Sequence, residues 1–171
     1  MGFRHVLAVQ GVAVLSAVGA LTMPAAAQDW RAAPPAVAKL GLMTVACKGE
    51  FCLAVGCRGG KAELVSMSPG GGPFNGAVTV RMPGMSAQLR FVEDPAIMDA
   101  LNMLGTRALL PANILTAMAT QSAITLAGPT FSDTITSTFA LKGYAGHAPA
   151  IARACGGAAP GQRPDAPPAA E

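Results

Sequence analysis

Residues 47–57 read CKGEFCLAVGC, a stretch that contains three of the four cysteines in the chain. The fourth, Cys155, follows much later. The apolar runs LMTVAC (42–47) and FCLAVGC (51–57) surround a short KGE segment, and this pattern predicts two β-strands joined by a turn. The stretch therefore raises a question of chemistry, because the thiols could bind a metal, act in redox reactions or form structural disulfides.

Strand geometry predicts how the four cysteines pair. In a hairpin with this turn Cys47 and Cys52 lie opposite each other, at a Cα separation of about 4.5–5.5 Å that suits a disulfide. Cys52 and Cys57 are an odd number of positions apart, so their side chains point to opposite faces of a strand. Cys57 therefore needs another partner. Of the three possible connectivities, the sequence predicts Cys47–Cys52 and Cys57–Cys155.

The alternatives to disulfides fit the spacing less well. Zinc sites usually bring two pairs of close ligands, and no second pair lies near Cys155. A thioredoxin-like site needs C-x-x-C at the start of a helix, and this motif does not occur in the chain. An even number of cysteines in an exported protein favours disulfides. We therefore expect structural disulfides, with no metal site and no cofactor.

The N-terminus predicts export from the cytoplasm. Arg4 precedes the uncharged apolar stretch VLAVQGVAVLSAVGALTM (6–23), and an Ala-Ala-Ala motif ends at Ala27. This arrangement is typical of a secretory signal peptide that is cleaved after Ala27. The alternative is an uncleaved membrane anchor, but polar and glycine residues interrupt the stretch. We therefore expect a periplasmic or secreted protein that has no stable membrane span after cleavage.

Composition divides the remainder of the chain into an arm, a domain and a tail. Residues 28–39 (QDWRAAPPAVAK) predict a loose N-terminal arm, and residues 156–171 (GGAAPGQRPDAPPAAE) predict a disordered tail rich in proline and alanine. Residues 40–155 are sufficient for a single β-rich domain with one core.

The charge of the chain limits its partners. The formal net charge is +3, and loss of Arg4 with the signal peptide reduces it by one to +2. The remaining basic residues are spread along the sequence without a cluster or interleaved aromatic residues. A nucleic-acid partner is therefore not expected.

Alternating residues predict further strands. AVTVRM (77–82) and SAQLRFV (86–92) alternate between apolar and polar residues on either side of Pro83-Gly84, a pair that suits a type II turn. The runs KAELVSM (61–67), SAITLA (122–127) and TITSTFAL (134–141) also predict strands. The segment SPGGGPFNG (68–76) predicts irregular structure, since it contains two prolines and four glycines.

Three segments predict short helices. Residues 95–104 follow Asp94 as N-cap and precede Gly105 as a C-terminal stop, and residues 111–119 (PANILTAMA) begin with proline. Near the C-terminus one helical face carries the apolar stripe Tyr144, Ala148, Ile151, Ala152 and Cys155, and Pro149 predicts either a helix start or a kink. These elements predict a mainly β (α+β) fold of antiparallel sandwich-like sheets with two or three short helices, the last tethered by a disulfide.

The C-terminal half carries a family resemblance. An Ala- and Leu-rich helix, the strand SAITLAG, a strand that ends in FALKGY and an Ala-rich helix make residues 98–151 similar to the end of bacterial invasion-associated locus B-like secreted proteins. This resemblance implies a β-rich domain of the periplasm or cell envelope. It implies no active-site residues, and CKGEFCLAVGC has no counterpart in it.

Residues that could support catalysis are few. His147 is the one histidine after the signal peptide, and neither G-x-S-x-G nor H-E-x-x-H occurs. The glycine-rich segment lacks the Lys-Ser/Thr of a phosphate-binding loop. We therefore expect no catalytic residues and a non-enzymatic role, either binding an envelope or host protein or supporting the envelope. The alternative is a carrier of a metal or small ligand, although the methionines suit core filling better than a copper site.

Overall fold

A computed structural model describes residues 29–70 and 72–156. Within these ranges nine strands form one antiparallel sheet that curls, accompanied by four short helices. In chain order the elements are β1 (Arg31–Ala32), α1 (Pro35–Ala38), β2 (Leu42–Lys48), β3 (Phe51–Arg58), β4 (Lys61–Ser68), β5 (Gly76–Met82), β6 (Met85–Glu93), α2 (Pro95–Leu101), β7 (Leu104–Leu109), α3 (Ala112–Thr120), β8 (Ala123–Pro129), β9 (Thr134–Ala140) and α4 (Tyr144–Ala154).

The order of strands across the sheet is β1-β2-β3-β4-β7-β6-β5-β8-β9. The predicted mainly β, antiparallel fold with short helices and a disulfide-tethered last helix is confirmed. The predicted signal peptide (1–27) lies outside the described residues, as does the predicted tail (156–171) beyond Gly156.

The central strands β2, β3 and β4 are buried on both faces, which explains their nearly continuous apolar sequences. Their inner face contributes Leu53, Val55 and Leu64 to the larger core, together with residues of β5–β9, α3 and α4. Their outer face contributes residues such as Val45 and Val65 to a smaller core under α1 and α2. The domain therefore has two apolar clusters on opposite sides of one sheet.

Strands β5, β6, β8 and β9 have one buried and one solvent-facing side. Val78 and Val80 of β5 are fully or almost fully buried, as are Ile124 and Leu126 of β8. The outward side of β8 and β9 carries threonines, and the hydroxyls of Thr125 and Thr138 are 2.9 Å apart on the exposed surface. The alternation predicted for residues 77–82 and 86–92 is confirmed by β5 and β6.

The predicted loose arm is wrong for residues 29–39, because this segment packs on the domain. Trp30 is 3% exposed, and its backbone nitrogen donates to the carbonyl oxygen of Lys142 at 2.9 Å. Its indole nitrogen donates to the carbonyl oxygen of Ala140 at 3.0 Å. Burial of a large aromatic side chain is strongly favourable, because it removes a large apolar surface from water. This gain and the pairing of β1 with β2 order the arm and bring the two ends of the sheet together.

The helix predicted at 95–104 ends earlier than expected. Asp94 is the N-cap as predicted, and its side chain accepts a hydrogen bond from the backbone of Ala96 at 3.2 Å. The helix stops at Leu101 because Asn102 adopts a left-handed conformation with φ 53°.

Gly105 is not a helix stop but lies within β7, a strand that the sequence did not predict. A Cβ atom at this position would come within 2.5 Å of the side chain of Ile97 on α2. Gly105 is therefore required by the close packing of α2 on β7.

The other two predicted helices are present. α3 begins directly after Pro111 and buries Ile114 and Met118 in the larger core. α4 begins before Pro149 and contains it, and the predicted apolar stripe from Tyr144 to Ala152 is buried. Within residues 29–70 and 72–156, no helix is long and apolar enough to cross a membrane.

Candidate functional site

The four cysteines form two disulfides. Cys47 and Cys52 face each other across the β2–β3 hairpin with a Cα separation of 4.0 Å. Cys57, at the end of β3, joins Cys155 just after α4 with a Cα separation of 5.3 Å. Cys52 belongs to the outer cluster and Cys57 packs against the inner one, as the odd spacing between them requires.

The described residues show no grouping of side chains suited to metal binding, and His147 stands apart from any side-chain hydrogen bond among them. No set of three or more His, Cys, Asp or Glu residues within the described ranges could hold a metal ion. His147 is half-buried on α4, and its imidazole has no hydrogen bond or ion pair with any described residue. Its imidazole is therefore not hydrogen-bonded to a nucleophile or an acid among the described residues.

A cavity of about 540 Å³ lies between α3, α4 and the start of β4, beside the Cys57–Cys155 disulfide. We call it the α3–α4 groove. Alanines form much of its wall, because small side chains on both helices leave space between them. The residues of its lining are Gly60, Lys61, Ala62, Leu109, Leu110, Pro111, Ala112, Leu115, Thr116, Ala119, Ala148, Ala152 and Cys155.

The two helices that form the groove are fixed by contacts on their other faces with the core and by a disulfide. Ile114 and Met118 anchor α3 in the core, so that Leu115 and Ala119, one position further along, face the groove. Ile151 anchors α4, and the disulfide at Cys155 attaches its C-terminal end to β3. The groove is consequently formed between two supported helices.

The groove carries little polarity and one formal charge. Among the described residues that line it, Lys61 is the only charged one and none is acidic. The Thr116 hydroxyl donates to the carbonyl oxygen of Ala112 at 2.9 Å, so this polar group is already partly satisfied. The arrangement is chemically suited to holding an apolar group.

Sequence reasoning missed a buried ion cluster on the outer face of the sheet. Arg107 of β7 donates to Glu63 of β4 at 2.8 Å and to Asp94 at the start of α2. Arg58 donates to Glu63 at 3.2 Å from a largely exposed position. The cluster is formally balanced, with two positive and two negative residues.

The burial of this cluster has an electrostatic consequence. Burial lowers the pKa of the Arg107 guanidinium, and its hydrogen bond with Glu63 partly opposes this shift. The sequence feature that could have indicated this cluster is an arginine within the apolar run LGTRALL. A charge that is buried with such a run requires a partner of opposite charge. Because its hydrogen bonds bind three elements together, we interpret the cluster as structural.

A second, smaller cavity of about 230 Å³ lies beside the start of α2. Met98 and Phe131 line it, and both side chains are about two-fifths exposed, at 39% and 41%. Its small volume falls below the usual range for ligand sites. The α3–α4 groove is therefore the better candidate for a binding site.

Comparison with known proteins assigns this chain neither a family nor a function. No protein-family model matches this chain, and neither a curated protein nor a solved structure matches it. The resemblance of residues 98–151 to invasion-associated locus B-like proteins therefore stays a prediction.

Proposed function

We propose that this protein is an exported, non-enzymatic binding domain that holds a small apolar ligand in the α3–α4 groove. The observation that carries the proposal is the cavity of about 540 Å³ with its almost wholly apolar lining. Small-molecule sites in proteins are concave, mostly apolar and about 300–1,000 Å³ in volume. The proposal develops the small-ligand part of the carrier hypothesis, whereas the described residues offer no donor set for its metal part.

The contacts that fix the two helices favour ligand binding, because they hold the groove in a defined shape. The Cys57–Cys155 disulfide holds the end of α4 against β3, and buried residues hold α3. A site that is already formed loses less conformational entropy when a ligand enters. The disulfide that tethers the last helix close to the cavity would therefore reduce the entropic cost of ligand binding.

Export is the second part of the proposal. Two disulfides are present, and disulfides persist in oxidising compartments outside the cytoplasm. We infer that the signal peptide is cleaved after Ala27 and that the protein works in the periplasm or after secretion. An intact mass of the exported protein that begins at Gln28 would support this inference, and retention of residues 1–27 would contradict it.

A neutral fluorescent probe tests the binding role. N-phenyl-1-naphthylamine fluoresces more strongly in apolar surroundings, and we expect the purified protein to enhance its fluorescence in a saturable manner. Ala119→Phe places a ring in the groove and should weaken binding at least tenfold. Ala100→Phe, on the exposed surface of α2 outside the groove, is the matched control and should bind as the unmodified protein does.

Two results would contradict the proposed function. The first is the absence of saturable binding by a protein whose thermal unfolding shows that it is folded. The second is equal probe affinity in Ala119→Phe and the unmodified protein, which would place the probe elsewhere. An envelope or host protein as the partner, the other role expected from the sequence, would then become the better hypothesis.

A further inference from the structure

We infer that the ligand of the α3–α4 groove is a single-chain anionic amphiphile, of the class of a free fatty carboxylate, whose head group lies at Lys61. This inference rests on the proposed function and specifies its ligand. It follows from the position and the charge of three features: an apolar floor, an unpaired lysine at the rim and an uncapped helix start in the lining.

The floor of the groove requires an apolar chain. Ala62, Leu110, Ala148 and Ala152 are buried residues that also line the cavity, so its deepest surface is built from hydrocarbon groups. Each methylene group that leaves water for such a surface contributes favourably to binding. A polar ligand such as a sugar would lose its hydration without gaining hydrogen-bond partners.

Lys61 makes the rim of the groove positive. It is the exposed first residue of β4, and its side-chain ammonium has no ion pair or hydrogen bond with another described residue. Its neighbour across the β3–β4 turn, Arg58, is instead engaged by Glu63. Since none of the lining residues that the structure describes is acidic, an anionic head group would find an available cation there without repulsion from them.

The start of α3 adds to the same preference. Pro111 and Ala112 line the groove, and no side chain caps the backbone amides at this end of the helix. The N-terminus of a helix carries a partial positive charge that favours nearby anions. Lys61 and the α3 terminus therefore give one wall of an otherwise apolar cavity a positive potential.

Isothermal titration calorimetry with dodecanoate and dodecanol separates charge from apolar burial. The protein should bind dodecanoate more tightly than the uncharged alcohol of equal chain length. Lys61→Met should weaken dodecanoate binding about three- to fivefold, since an exposed ion pair contributes up to about 1 kcal/mol. Lys61→Glu should weaken it by about tenfold or more, because repulsion replaces attraction. In both variants the affinity for dodecanol should change less than the affinity for dodecanoate, so that the preference for the anion decreases.

A matched control tests whether the site of the charge matters. Lys48→Met removes the same charge from the last residue of β2, outside the groove lining, and should leave dodecanoate binding unchanged. An equal loss in Lys48→Met and Lys61→Met would overturn the inference, because only the net charge would then matter.

The outcomes distinguish failure of this inference from failure of the proposed function. Binding of N-phenyl-1-naphthylamine with equal affinities for dodecanoate and dodecanol would overturn the anionic ligand alone. If the folded, unmodified protein shows no saturable binding of N-phenyl-1-naphthylamine, both proposals would be overturned. A dimer in sedimentation velocity that Ala119→Phe converts to monomer would overturn the inference in favour of a second copy of the chain.

Discussion

Tyr144 has an uncommon environment for its hydroxyl group. The residue is fully buried at the start of α4, and its ring packs edge-on against Trp30 with centroids 5.1 Å apart. The ring therefore contributes to joining the N-terminal segment to the last helix. The hydroxyl oxygen, in contrast, finds no hydrogen-bond partner in residues 29–70 and 72–156. Burial raises the pKa of this phenol.

Tyr144→Phe should increase the free energy of unfolding by about 1 kcal/mol at neutral pH, because it removes a buried hydroxyl without a partner. Urea denaturation measures the difference. The unfolded state releases the Tyr144 proton near pH 10 while the folded state retains it, so this residue destabilises folding as the pH rises above about 10. The advantage of Tyr144→Phe should therefore grow in alkaline solution.

Tyr144 is the only tyrosine in the chain, so the two proteins differ in no other phenol. A loss of stability in Tyr144→Phe would show that the hydroxyl has a hydrogen-bond partner after all. An advantage that stayed constant between neutral pH and about pH 10.5 would contradict the raised pKa.

The buried ion cluster sets the arrangement of several elements. Arg107 of β7 contacts Glu63 of β4 and Asp94 at the start of α2, and it also donates to the carbonyl oxygen of Leu40 at 3.4 Å. Asp94 thus has two roles, as helix cap and as partner of the buried arginine. Because buried charges require such partners, the cluster favours this one placement of α2 over the sheet.

Arg107→Met should decrease the free energy of unfolding by about 3 kcal/mol or more, because it leaves Glu63 and Asp94 without their central partner. Arg90→Met is the control, since Arg90 is exposed on β6 and forms no ion pair with a described residue. Its effect should stay within about 0.5 kcal/mol.

Chemical denaturation of both arginine variants provides the comparison. If Arg107→Met lost less than about 1 kcal/mol, Arg58 or water would have to replace the missing guanidinium. If Arg107→Met does not fold, Glu63→Gln keeps the shape of the cluster and should show a smaller loss in the same assay.

The whole molecule is held together by contacts between distant parts of the chain. Trp30 and Lys142 join the two ends of the curled sheet through a backbone hydrogen bond. Cys57 and Cys155, 98 positions apart, join the central strands to the last helix. Cys47 and Cys52, by comparison, are 5 positions apart and close only a hairpin. The two disulfides should therefore differ in their effect on stability.

The Cys57→Ser/Cys155→Ser double variant should lose about 4–5 kcal/mol, whereas Cys47→Ser/Cys52→Ser should lose about 2 kcal/mol, because loop-closure entropy increases with loop length. Urea denaturation of the two double variants measures the ranking. The first variant should also bind N-phenyl-1-naphthylamine more weakly, since α4 would no longer be held beside the groove. A larger loss from the hairpin pair would contradict the chain-entropy explanation.

Local patterns predicted a large share of the fold. The alternation in 77–82 and 86–92 needs only the two-residue period of a strand, and Asp94-Pro95 needs only the preference of a helix start. The cysteine spacing also contains its own geometric information, since odd separations on a strand require opposite faces. These features depend on neighbours in the chain, so the sequence alone determines them.

The tertiary structure decided what depends on distant neighbours. Trp30 is ordered by residues about 110 positions later, Gly105 by its approach to Ile97, and Arg107 by Glu63, which lies 44 positions earlier. The α3–α4 groove likewise combines residues of two helices with the start of β4. A periodic pattern reports which face of an element is buried but not which element covers it. The groove and the ion cluster therefore arise only when the sheet curls and brings these elements together.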